Sequence, residues 1–175
     1  EKMNDQKGEI DYTIVNPKHL PFQEQLDVCQ QCHLQGEISV FKQGKQSSDF
    51  RPGMLLSHVK SIFMDSSSDS NEFRIASHAE RLAKSACFKE SASLTCITCH
   101  NPHVPVQDHS QRSFNKHCVS CHELNVLSLT NSVANHHLGA DCIQCHMPQG
   151  NTADIPHVNF TDHKIQISQS STIVK

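Results

Sequence analysis

The pattern Cys-x-x-Cys-His occurs four times in this chain, from Cys29 to His33, Cys96 to His100, Cys118 to His122 and Cys142 to His146. Two thiols three residues apart lie on one side of a single helical turn. There they reach the two vinyl groups on one edge of a porphyrin, and the next residue, His, points at the iron. The pattern therefore predicts four covalently attached c-type haems. Cys29, Cys32, Cys96, Cys99, Cys118, Cys121, Cys142 and Cys145 would be the thioether donors. His33, His100, His122 and His146 would be the first axial ligands. A structural zinc site built from two Cys-x-x-Cys pairs leaves the following His unexplained each time. A disulfide framework is poorer still, because thiols this close in a turn have the spacing of redox motifs rather than of loop staples.

Composition agrees that the interior is not built from side chains alone. Among 175 residues only 36% are hydrophobic and 5% aromatic, with no Trp, whereas Cys numbers 9 and His 14. That is little core material for a chain of this length. The formal net charge of −3 and the absence of a long basic run argue against a nucleic-acid partner. The propionates of four haems would add roughly eight negative charges, which makes a basic docking partner the expectation. No apolar stretch has the length of a membrane span. Glu1 does not begin a signal peptide, so a mature fragment is expected, its export signal removed or encoded upstream.

Along the chain, residues 1–20 read as an extended lead-in ending at the Asn16-Pro17 and Leu20-Pro21 breaks, 21–167 as a tetrahaem domain, and 168–175 as a frayed tail. Phe22 to Cys32 is predicted as a short helix. After Pro52-Gly53, Leu55, Leu56, Val59, Ile62 and Phe63 recur at helical spacing and predict an amphipathic helix from Met54 to Met64. A serine-rich break follows at 65–70, and Ile75, Ala79, Leu82, Ala83 and Ala86 then predict a helix from about Asn71 to Lys89. Pro156 argues against helix from Asp154 to Ile167, where an extended segment is expected. The expected fold class is mainly α with much irregular structure and little or no β-sheet, packed around the porphyrins.

Ten His lie outside the motifs, and four are needed if every iron has two imidazoles. His103 follows His100 across Asn101-Pro102, where the proline turns the chain away from its own haem, so it is expected on a neighbouring iron. His157 and His163 would share a face of an extended segment about 20 Å apart and serve different haems. His78 lies with Ile75 and Leu82 on one helical face, as His58 lies with Leu55 and Ile62. Such a His is ordinarily a satisfied core residue, but a core made of haem raises the case for His78. His117, His136 and His137 sit just upstream of motifs and are weaker candidates, and His19 and His109 in polar loops are assigned no role. Met147 cannot fold back onto its own haem, and packing explains Met54 and Met64. Cys87, the ninth thiol, reads as a small buried hydrophobe or as the partner of a cysteine upstream.

The stretches Asp27-Val-Cys-Gln-Gln-Cys-His33, Asp49-Phe-Arg-Pro-Gly-Met54, Thr95-Cys-Ile-Thr-Cys-His-Asn-Pro-His103, Asp141-Cys-Ile-Gln-Cys-His-Met-Pro148 and Asp154-Ile-Pro-His-Val-Asn-Phe-Thr-Asp-His163 resemble the doubled-CxxCH multihaem cytochromes c, including those fused to tetratricopeptide repeats. The resemblance runs from about Ile14 to Ile167. It implies a multihaem cytochrome fold with His103, His157 and His163 as distal ligands. His78 lies outside the recognised pattern, and the fourth ligand stays open. Family members usually carry more motifs upstream and often repeats downstream, so a fragment or a short member is expected.

The expected function is electron transfer by hopping between haems, in the periplasm or outside the cell, where such haems are attached and cysteine is otherwise oxidised. The expected partners are redox proteins, among them other multihaem cytochromes. Self-association into a filament, with a surplus His ligating a haem of the next subunit, is a variant. The rival is a module of a nitrite or hydroxylamine oxidoreductase, which requires an iron with an open position. No Cys-x-x-Cys-Lys occurs and the only Tyr is Tyr12, so an enzyme is not expected.

Overall fold

The computed structural model describes residues 14–64, 74–109, 111–122 and 141–167, with only the backbone at 111–113. The chain enters through a 3-10 turn, Pro17–His19, capped by the Asn16 side chain accepting from the Lys18 N–H at 3.0 Å. Helix α1, Phe22–His33, starts directly after Pro21, as its sequence predicts, and ends in the first Cys-x-x-Cys-His motif. Its buried side chains are Leu26 and Asp27. The Asp27 carboxylate accepts from Gln23 Nε2 and from the Leu56 N–H, both at 2.8 Å, and so fixes the following loop against the helix.

The helix expected from Met54 to Met64 is absent. Leu56–His58 makes a 3-10 turn, and Lys60–Phe63 is a strand, β2, paired antiparallel with β1, Ile38–Phe41. The same apolar positions serve both outcomes. Leu56 and Val59 enter a small core with Phe50, and Ile62 packs against it from the strand. The backbone of Lys60–Phe63 is satisfied by the β-branched and aromatic Ile38-Ser-Val-Phe41 segment rather than by its own helix.

Gly36 makes this packing possible. It has φ +62°, and a Cβ there would run into the Ile62 side chain and lie 2.7 Å from the Phe63 carbonyl oxygen. Its N–H donates to Glu80 at 2.7 Å and its carbonyl accepts from Arg74 at 2.8 Å, which ties the sheet to the next helical region.

That region was expected as one helix from about Asn71 to Lys89. Residues 71–73 lie outside the described set, and the rest divides into α2, His78–Ala83, and α3, Ala86–Glu90. Ser85 separates them in an extended conformation, because its hydroxyl bonds across to another segment instead of within a helix. Helix α4, Cys96–Cys99, and α5, Gln111–Val119, carry the opening residues of the second and third motifs, and α6, Cys142–His146, carries the fourth. Helix α5 packs against both α4 and α6.

A second sheet pairs β3, Gln149–Asn151, with β4, Asn159–Thr161. The expectation of little or no β-sheet is thus corrected to two small antiparallel sheets among short helices and much irregular chain. Of the extended segment expected from Asp154 to Ile167, only β4 and the residues after it are extended. His157 turns left-handed at φ +63°, so His157 and His163 do not share a face of one continuous strand. Among the described residues no helix is long and apolar enough to cross a membrane.

Gly36→Ala is expected to destabilise the fold by about 1–3 kcal/mol, from left-handed strain and the collision with β2. A lower denaturant midpoint by circular dichroism checks this.

Candidate functional site

Each motif folds as one helical turn, and local bonds explain why. The first is the last turn of α1. The second is opened by buried Thr95, whose N–H donates to Thr98 Oγ1 at 3.0 Å in a reciprocal cap, while its hydroxyl donates to Gln25 of α1 at 3.4 Å. The third begins at Cys118 in the last turn of α5 and runs on into a turn, with the His122 N–H returning to the Cys118 carbonyl at 2.9 Å. The fourth is capped by Asp141, which accepts from the Ile143 N–H at 3.1 Å, and the Cys142 N–H donates to Asn115 of α5 at 3.2 Å.

Tertiary packing brings the motifs together in pairs. Cys29 lies close enough to Cys96, and Cys118 to Cys142, for each thiol to perturb its neighbour's ionisation. In the first pair the neighbouring Cys96 thiol makes Cys29 easier to ionise, while the nearness of Cys29 and burial push Cys96 up. Burial, then Cys142, raises Cys118 to about 11. Burial and the nearness of Cys87 raise Cys99. All nine cysteines are free thiols, and Cys87 is half-buried beside Cys99 rather than paired with it.

Four imidazoles converge between the first two motifs. The His33 and His78 Nδ1 atoms are 3.4 Å apart, and their ring centroids 5.0 Å apart. The His78 ring lies 4.6 Å from that of His163, and the His163 ring 6.1 Å from that of His100 with planes 25° apart. Burial, followed by the neighbouring imidazoles His163, His33 and His100, lowers His78 to about 4, and burial likewise lowers His100 and His163. These rings are therefore held neutral, the form in which imidazole ligates metals.

The other predicted ligands are not gathered there. His103 is exposed after its Asn101-capped turn, with its N–H on Asn101 Oδ1 at 3.0 Å, and His157 is exposed at the left-handed turn between β3 and β4. His122 is exposed, as are His19, His58 and His117. His136 and His137 lie outside the described residues.

Whether these residues suit haem can be asked of the donors themselves. The His146 Nδ1 is 2.8 Å from the Gln166 carbonyl oxygen and the His163 Nδ1 is 3.1 Å from that of Thr161. A carbonyl only accepts, so Nδ1 carries the proton in both rings, and Nε2 is the nitrogen that the neutral ring would turn to a metal. Beside the second motif is a cavity of about 680 Å³ lined by Cys99, His100, His103, His109 and His117 among others. That volume lies within the range of cofactor pockets, about 300–1,000 Å³. His109 Nε2 is buried without a hydrogen-bond partner. The donors and the space fit the group. Neither His109 nor the Arg81–Asp162 pair described below was singled out by the sequence; a polar loop and a helix surface gave no periodic signal for them.

Among the described residues no cluster of three or more His, Cys, Asp or Glu is arranged to hold a bare metal ion. No family model matches the chain, and no curated protein or solved structure matches it.

Thr95→Val removes the cap of the second motif and its bond to Gln25. It is expected to cost about 1 kcal/mol in stability, read as a lower denaturant midpoint.

Proposed function

We propose that this chain transfers electrons through four c-type haems attached at its Cys-x-x-Cys-His motifs. The observation that carries the reading is that each motif folds around one helical turn, while neutral imidazoles from elsewhere in the chain gather against two of the motif His. When bound, haem supplies one-electron redox chemistry. The chain's part would be to bind and orient: the motif thiols would anchor the porphyrins, and His33, His100, His122 and His146 would each offer a nitrogen to an iron. His78 and His163 are the best-placed second ligands, for the first two motifs.

Pairing of the first motif with the second, and of the third with the fourth, favours short steps between redox centres, as hopping requires. His103 and His157, turned to solvent, are proposed as ligands only where a neighbouring haem or subunit meets them. The proposed setting is the periplasm or the cell exterior, with redox proteins of basic docking surface as partners. Kinship with the doubled-CxxCH multihaem cytochromes c rests on the sequence strings alone.

Chain matured with a c-type haem attachment system is expected to gain the mass of four haems, retained after denaturation, and an intense Soret band. Cys142→Ser with Cys145→Ser is expected to remove one haem's mass and about a quarter of the pyridine haemochrome absorbance. A colourless product of unmodified mass would refute the reading.

His78→Ala is expected to leave four haems attached but convert one iron from low spin to high spin, seen by electron paramagnetic resonance of the oxidised protein. Unchanged spectra would remove His78 from the ligand set.

A further inference from the structure

Two side chains from elsewhere in the chain, Arg81 and Ser85, grip the segment that carries His163. Arg81 of α2 donates from Nε to Asp162 Oδ1 at 2.8 Å and from Nη2 to Asp162 Oδ2 at 2.5 Å. The two residues are only 4% and 5% exposed. Just beyond α2, fully buried Ser85 donates its hydroxyl to the His163 carbonyl at 3.3 Å and accepts the Ile165 N–H at 2.8 Å. Asp162 Oδ1 also accepts the Lys164 N–H at 2.9 Å, and the Asp162 N–H donates to the Pro148 carbonyl at 2.9 Å. His163 is thus pinned on both sides along the backbone.

The same helix presents His78. It is three residues before Arg81 and on the same helical face, with its ring 4.6 Å from that of His163 and 5.8 Å from that of Phe160. An apolar contact could hold α2 against this segment but would let it slide. A planar guanidinium on a carboxylate fixes distance and rotation together, because both N–H···O bonds must be met at once.

We propose that Arg81, Asp162 and Ser85 are positioning residues that set the spacing and ring orientation of His78 and His163, and so how these two imidazoles would meet the irons they serve. The inference rests on the haem reading above. The residues touch no iron and act through the imidazoles.

The test uses the full chain with its haems attached, carrying Asp162→Asn, Arg81→Lys or Ser85→Ala, beside His163→Ala as the reference. Covalent mass is measured first, so a failure of the haem reading, with no haem attached, is distinguished from a failure of this one. With four haems present, Asp162→Asn is expected to shift the resonance g-values and the midpoint potential of the iron that His163→Ala affects, leaving the others in place. Arg81→Lys, which keeps the charge but not the fork, is expected to give a smaller shift of the same signal. Unchanged g-values and potentials in Asp162→Asn, even with a lowered melting temperature, would reduce the pair to a structural tie and overturn the proposal. If Asp162→Asn does not accumulate, Ser85→Ala decides. A shift of the same signal supports the proposal, and an unaltered spectrum overturns it.

Discussion

Arg81 and Asp162 are 81 residues apart in sequence and meet in a two-point bond almost without solvent. Burial alone would raise the Asp162 carboxyl, but the Arg81 fork and the Lys164 N–H outweigh it and hold it below the usual carboxylate range. Desolvating both charges is costly, and removing either partner strands the other, a loss of about 3–5 kcal/mol in such pairs. The bond keeps the C-terminal extended segment against α2. That segment in turn lies along the fourth motif, where the Gln166 N–H donates to the His146 carbonyl at 3.1 Å.

Directed polar bonds carry this weight because apolar packing is scarce. Among the described residues, buried hydrophobics number four, Leu26, Phe50, Leu56 and Val59, against seven buried polar or charged residues. Asp27, Ser77, Arg81, Ser85, Thr95 and Asp162 all bond across or at the ends of elements. A core so small cannot hold remote segments by contact area, so register is set by donors and acceptors of fixed direction. On the proposed reading this suits a chain whose interior is shared with flat rings, since polar latches hold segments in place without filling the space between them.

The motifs were legible because their information is local. Three residues of spacing and a following His specify one helical turn, and each of the four motifs adopts one. Helix α1 was legible for a similar reason, lying between Pro21 and the end of the first motif. The stretch from Leu55 to Phe63 was misread because its apolar spacing suits a helix and a turn followed by a strand alike. The deciding partner, Ile38–Phe41, lies well upstream. His157 escaped for another reason: a left-handed turn within an apparently extended run removes it from the face of His163.

The sequence by itself determined where thiols and imidazoles stand relative to one another within each motif, because helical geometry over one turn depends only on nearest neighbours. The tertiary structure alone decided which motifs become partners, Cys29 with Cys96 and Cys118 with Cys142, and that His78, rather than the exposed His58, joins His33, His163 and His100. Those outcomes depend on chain closures over many residues, and latches such as Arg81 with Asp162 fix them only when both ends have folded.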